Sequence, residues 1–494
     1  MTMESFERVG EWWLPENPNR KASGILKFEP ITGGTLQLIG ALVDIQDGDQ
    51  PSHPPVILGK CLGGKVTLLN NSETRSQLTL EGIGISIFQT GLICDGIHLQ
   101  NKNDLEFVSL SIHYSYLNQW IGVSSFNINH FYETGELNIN CKNSVEVCKI
   151  SLNENIQLSI DVLSYSKENW VKDVHIDQIA YVTIKFSDKH PLNEIEKIMR
   201  NFQNFLSFAI QHPIHPLNVN GLMIGDRFDC HDGTYKQGHV YVKLYRPYLD
   251  NLKNTQSDLF PRESVLFTSD IIFGFNQISN KFEFLIKNWF EKAKWLENVY
   301  DLYFATVYNS NLYLQNVFLL LIQALEVYHR KNPHFEQYEI SEDKHFEKIS
   351  SILEKVPIEY KDWLEAKLKY SNEKRLATRL EAVFNYLSDV LLELSNIKSG
   401  FTLLSTKKYQ NSLVRKITNN RNYLTHYDQS LKSQAANESE LYRITEKLKI
   451  IICLCLMKEL GFDKEEITHF LSNGNVGLLM EWALNESVPL IVDN

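Results

Sequence analysis

Near residue 280 the spacing of apolar side chains changes, and no other feature limits the fold of this chain as much. Upstream the spacing is two. Ile156, Leu158, Ile160 and Val162 alternate with polar neighbours, as do Val182, Ile184 and Phe186, and Val108, Leu110, Ile112 and Tyr114. A period of two puts the apolar side chains on one face of an extended strand, so these segments predict half-buried antiparallel strands. Turn signals recur at Gly33-Gly34, Asp47-Gly48, Gly63-Gly64 and Asp232-Gly233. One helix interrupts this half at 191–211, where Ile195, Ile198, Phe202, Phe205, Leu206 and Ala209 keep a helical period and Pro191 suits a first turn. Downstream the pattern is helical almost throughout. Candidate helices cover about 280–307, 311–330, 342–356, 358–369, 373–394, 405–426, 436–460 and 463–472, with the short links of a bundle. The prediction is an α+β chain. A β-rich, sandwich or barrel-like region over 1–280 precedes an all-α bundle over 281–494.

Length and charge narrow the function. A chain of 494 residues exceeds one ordinary core. A net charge of −11 argues against a protein that coats nucleic acid nonspecifically, but it permits a local basic site. The seven cysteines show no framework spacing, which suits reduced thiols. The N-terminus lacks a basic segment followed by an apolar run, and the apolar runs at 317–327 and 450–457 are shorter than a membrane span. A cytoplasmic protein with no membrane partner is expected.

Two motifs invite a reading that their surroundings reject. Gly59, Gly64 and Lys65 fit part of a phosphate-binding loop, but Val66 stands where magnesium chemistry needs Ser or Thr, and the next residues read as a strand. A Gly-rich hairpin is expected instead. Asp226, Asp229, Cys230, His231 and Asp232 crowd one segment, which reads as a solvated turn rather than a metal site. Cys453 and Cys455 sit in an apolar helix as core residues. No metal and no cofactor is expected.

Arg421, Asn422 and His426 form an R-N-x-x-x-H stretch near the end of a helix-patterned segment. Arginine can grip a phosphate through two parallel hydrogen bonds, and histidine can move a proton near neutral pH. From 394 to 427 the chain carries Lys398, Lys407, Lys408, Arg415, Lys416 and Arg421 and no acidic residue. Such a run can be a solvated face. Ending on this motif, it is read as a guide for a polyanion, with Lys407, Lys408, Arg415 and Lys416 as RNA-binding candidates. On a straight helix Asn422 and His426 share a face, while Arg421 and His426 point about 140° apart. Either the helix distorts near His426, or a two-fold-related subunit brings a second copy of the motif close. Glu326 interrupts the apolar segment 317–327 and has two readings of equal weight. It is a partly buried carboxylate that orients Arg421, or a surface residue paired with Arg330 at i+4. His329 is a further supporting candidate.

Several segments resemble the ApeA-type HEPN proteins of bacterial anti-phage defence. FERVGEWWLP at 6–15, GILKFEP at 24–30 and GTLQLIG at 34–40 look like the opening of the ApeA N-terminal domain. FEFLIKNWFEK at 282–292 looks like the helix leading into the C-terminal part. FLLLIQALEVYHR at 318–330 and RNYLTHYD at 421–428 look like the first and the catalytic helices of its HEPN domain. The resemblance implies a metal-independent endoribonuclease that dimerises with two motifs facing each other. In it Arg421 and His426 are catalytic and Asn422 positions them. It implies abortive infection, in which cellular RNA such as tRNA is cut after a phage-derived trigger and the β-rich region senses or restrains. Two other readings remain open: a non-catalytic HEPN module that binds RNA or a nucleotide, and a carbohydrate- or protein-binding β-region dimerised by the helices.

Overall fold

The computed structural model describes residues 5–43, 52–77, 84–169, 172–229, 235–247, 270–309, 311–427 and 429–472, with a few positions from 477 to 484. They fall into two compact units.

The first unit opens with six strands that close on themselves: β1 (Phe6–Trp13), β2 (Ala22–Glu29), β3 (Gly33–Ile39), β4 (Val56–Cys61), β5 (Gly64–Gln77) and β6 (Ile85–Asp95). Neighbours run β6-β3-β2-β1-β4-β5, and β5 pairs back onto β6 from Val66↔Asp95 to Gln77↔Ile85. Closure removes the unpaired edges of a small sheet. Alternate residues point inward, among them Leu26, Phe28, Leu36, Leu38 and Leu68, and all five are fully buried. Trp12 is the largest side chain of this core, and Gly59 lies against it: a Cβ there would sit 2.2 Å from a ring carbon. Glycine is required at 59 for close approach, and at 64 for the positive φ of the β4–β5 turn (φ 120°). That accounts for the loop-like glycine spacing without a nucleotide. Arg8 clasps β1 to β6 by two parallel bonds of 2.8 Å to Asp95.

A second stretch of sheet grows out of the barrel. β14 (Tyr235–Tyr245) pairs with β6 over Ile93 to Asp95, beyond Thr90 where β3 stops pairing. The order then continues through β13 (Pro216–Asp229), β7 (Glu106–Tyr114), β12 (Asp173–Pro191), β11 (Ile156–Asn169) and β10 (Ser144–Ser151), all antiparallel. Leu158, Ile160, Val162, Val182 and Ile184 are buried as their alternation predicts. β7 departs from strict alternation: Phe107, not Val108, is buried before Leu110, Ile112 and Tyr114. A register shift between Lys185 and His190 of β12 changes the parity there. A separate hairpin of β8 (Phe126–Phe131) and β9 (Glu136–Cys141) is mostly exposed.

Helices α1 (Leu117–Ile121) and α2 (Leu192–Ile210) pack on this sheet. Tyr114 donates its hydroxyl to the carbonyl of Met199 at 3.1 Å and stands 5.9 Å from the Phe202 ring. Pro191 ends β12 just ahead of α2 rather than lying in its first turn. Residues 274–283, with α3 (Phe275–Ile278), belong to this unit, and Phe275 stands 5.7 Å from Trp120.

The second unit takes residues 270–273 and everything described from 284 onward. Its helices are α4 (Phe282–Tyr308), α5 (Leu314–Lys331), α6 (Glu342–Glu354), α7 (Ile358–Leu368), α8 (Leu376–Tyr386), α9 (Ser388–Ile397), α10 (Ser399–Ser405), α11 (Lys407–His426), α12 (Glu438–Leu460) and α13 (Lys464–Ser472). α12 packs on α5, and its second half is buried nearly throughout, including Ile450 to Met457 with Cys453 and Cys455. Phe273 stands 5.2 Å from Phe462 and 5.7 Å from Phe470. α6 and α7 contain no buried residue, and their base is pinned where Asn372 exchanges two hydrogen bonds with Ile340.

The single helix expected over 373–394 is two helices, α8 and α9, broken at Leu387. Leu380, Val383, Phe384, Leu387, Val390, Leu391 and Leu394 are all buried, so the apolar period runs straight through the break. Ser388 and Asp389 favour a new first turn, and Asp389 meets Lys458 at 3.0 Å. Among the described residues no helix is long and apolar enough to cross a membrane.

Candidate functional site

α11 carries the arginine–histidine motif. Gln410, Leu413, Val414, Ile417 and Asn420 form its buried stripe, the spacing of a helix packed on one side. The helix runs to His426, and Tyr427 then turns left-handed (φ 48°) while its N–H closes on the carbonyl of Tyr423. The motif therefore sits on the last two helical turns with no break before Tyr427. Lys408, Arg415, Asn422 and His426 fall within about 40° of one another around the axis. Lys416 lies about 80°, Lys407 about 100° and Arg421 about 140° from His426. Lys408, Arg415 and His426 are exposed, and Arg421 and Asn422 are half-buried.

Arg421 Nη1 donates to Asn422 Oδ1 at 3.3 Å. Among the described residues no hydrogen bond joins His426 to either of them. The Thr425 hydroxyl donates to the carbonyl of Arg421 at 2.7 Å. The loop after the motif folds back beside α11. Asn420, 2 % exposed, accepts from the Ala436 N–H at 2.7 Å and donates to the carbonyl of Lys416 at 2.8 Å. Asn419 donates to Gln434 Oε1 at 2.9 Å.

The remaining predicted residues divide. Lys416 pairs with Glu440 across to α12, and Lys407 donates to Asn385, so neither is a bare cation. Of the two readings of Glu326, the i+4 pair is the one formed: Arg330 meets it at 3.2 Å and Glu373 at 2.9 Å. Glu326 has no hydrogen bond to Arg421 among the described residues. His329 is fully buried, not a surface acid or base. Its Nδ1 accepts from Arg379 Nη1 at 3.2 Å, and its ring stacks on Phe335 at 4.6 Å. Arg379, 1 % exposed, also donates to Gln337 Oε1 and to the carbonyl of Lys374, and it faces Glu373 at 3.6 Å.

Burial, then the Arg379 and Lys374 charges, pull the His329 pKa down to about 4. In the unfolded chain it titrates near ~6.5. Between these values the unfolded state binds more protons, so acid favours unfolding. Stability should fall as pH drops from about 6.5 toward 4, by roughly 2–3 kcal/mol in all. Urea midpoints of the helical unit at pH 7 and pH 5.5 check this, and His329→Gln should flatten the difference. An unchanged difference in that variant would clear His329 of the effect.

One of the two readings of Glu326 made it a partly buried carboxylate on α5, and the buried carboxylate of the structure is on α12. Glu459 is 7 % exposed and accepts from Lys292 Nζ at 2.9 Å, Tyr328 Oη at 2.8 Å and Asn332 Nδ2 at 2.8 Å. The available signal was a carboxylate two residues after the apolar run 450–457. Asn420 was also missed, although a polar residue in the buried stripe of α11 marks it. Among the described residues no three His, Cys, Asp or Glu side chains gather to hold a metal. Cys230, His231 and Asp232 lie outside the described residues.

Comparison with known families agrees with this layout. A model of the ApeA N-terminal domain 1 matches residues 7–289, and a model of the Apea-like HEPN domain matches residues 319–466, which include most of α5 and all of α11 and α12. No curated protein and no solved structure matches the chain. The first match alone spans more than half of the 494 residues, and the chain belongs to the ApeA family of HEPN proteins.

Proposed function

We propose that this protein is a metal-independent endoribonuclease of bacterial anti-phage defence, acting in the cytoplasm by abortive infection. The observation that carries the reading is Arg421, Asn422 and His426 on the last two turns of α11, inside the segment matched by the HEPN model. Lys408 and Arg415 extend the same outward face with positive charge. The RNA 2′-oxygen attacks the adjacent phosphorus and gives up its proton to a base, while the 5′-oxygen leaves and takes a proton from an acid. An imidazole serves either role. The Arg421 guanidinium stabilises the charge that builds on the phosphate oxygens. The products are a 2′,3′-cyclic phosphate and a 5′-hydroxyl. DNA lacks the nucleophile and is spared.

The site is composite in this reading. Arg421 and His426 point about 140° apart on a helix that stays helical through both. A homodimer whose two-fold axis brings two motifs to one cleft supplies the missing side. The β-rich region then senses a phage-derived trigger or restrains the helices, and structured RNA such as tRNA is the expected target.

Purified protein incubated with labelled RNA in EDTA tests the chemistry. Cyclic-phosphate ends are expected. Activity that EDTA abolishes and Mg2+ restores would overturn metal independence. Mixing an Arg421→Ala subunit with a His426→Ala subunit tests the composite site, since some mixed dimers should regain activity that neither parent shows. A fully active monomer would refute the dimer. Binding of RNA without turnover would favour a non-catalytic HEPN module.

A further inference from the structure

α11 and α12 enclose a cleft of about 520 Å3 that none of this chemistry uses. Lys416, Arg443 and Lys447 line it, against a single carboxylate, Glu440. The lining is thus net positive by two charges in a chain of net charge −11. Lys447 is only 3 % exposed, and its ammonium donates to the Tyr409 hydroxyl at 2.6 Å. Glu440 meets Lys416 at the rim. Ser412 and Ser439 add hydroxyl groups, and Arg443 brings a planar fork of donors.

We propose that this cleft binds a phosphate monoester. A carboxylate carries one negative charge, whereas a phosphate monoester carries about 1.5 to 2 near neutral pH and three acceptor oxygens. The second matches the net charge of the lining, and the volume suits a small ligand or a chain terminus. The cleft is not the cleavage face. Lys416 stands ten residues before His426 on α11, about 15 Å along the axis, so the phosphate held here is not the one that is cut. Two sources carry the same group: a free phosphorylated metabolite, or the terminal phosphate of an RNA strand. The proposal stands whether or not the chain cleaves RNA, and its test is binding alone.

Calorimetric titration of the full chain uses AMP, adenosine, and a 2′-O-methyl oligoribonucleotide with and without a 5′-phosphate. AMP should bind and adenosine should not. Arg443→Ala should weaken AMP binding by roughly tenfold or more, because a charged hydrogen-bonded pair is lost. Arg443→Lys should fall between. Arg375→Ala, an exposed arginine on another helix end, should change nothing. Thermal melting reports whether each variant is folded. Preference for the 5′-phosphorylated oligonucleotide over its 5′-hydroxyl form assigns the RNA terminus, and AMP binding without that preference assigns a free metabolite. Equal affinity for AMP and adenosine, an Arg443→Ala variant that binds AMP as tightly as the wild type, or no binding of AMP or the phosphorylated oligonucleotide would overturn the proposal.

Discussion

Replacing His426 by alanine is expected to lower RNA cleavage by about 10²–10⁴-fold, the usual worth of a positioned acid or base. The side chain is exposed at the end of α11 and supports no core contact, so the melting temperature should stay close to that of the wild type. Arg421→Ala should reduce cleavage similarly by removing charge stabilisation from the phosphate, again with a small effect on folding. Arg421→Lys is the sharper probe, because it keeps the charge and loses the fork. It should recover only a minor part of the rate. Single-turnover cleavage of labelled RNA measures all three, with cellular RNA ends mapped after induction of wild type and His426→Ala. Cleavage at the wild-type rate in either alanine variant would remove the motif from the mechanism.

Glu459→Ala should be among the most destabilising single changes in the helical unit. It strips one acceptor from the partly exposed Lys292 of α4 and from Tyr328 and Asn332 at the end of α5, leaving two buried donors unpaired. The expected cost is about 2–5 kcal/mol, from two buried donors left without an acceptor. Glu459→Gln keeps an acceptor for the two neutral donors and should cost less, about 1–3 kcal/mol. Urea unfolding followed by fluorescence of Trp289 and Trp295 in α4 reads both. A midpoint for Glu459→Ala equal to that of the wild type would show that the three donors are satisfied elsewhere.

The sequence disclosed those features that depend on local spacing. Alternation in β11 and β12 marked their buried faces, and the stripe of α11 placed Arg421 and His426 on one helix. Closure of the barrel was not legible, because it rests on pairing between Val66–Gln77 and Ile85–Asp95 rather than on any local period. The break at Leu387 was hidden because the apolar period continues through it. Glu326 and Glu459 show a subtler limit. Both are carboxylates in apolar surroundings, but Glu326 has a basic partner four residues along its own helix, and Glu459 finds its partners on two others. Spacing finds the first kind of partner and says nothing of the second. For the same reason the cleft with Arg443 and Lys447 was invisible, since it exists only where α11 and α12 come together.

The path of the chain between its two units carries a consequence for descent. Phe273 packs with Phe462 and Phe470 in the helical unit, yet the next ten residues return to the β-rich unit, where Phe275 and Phe282 meet Trp120. A recombination breakpoint at 280 would give each descendant a misplaced aromatic: the helical half would lose Phe273, and the β-rich half would lose Phe282. No single crossover in this segment preserves both sets. Relatives that exchange their front halves by one crossover must therefore match these aromatics on both sides of the joint, and otherwise the two halves are inherited together.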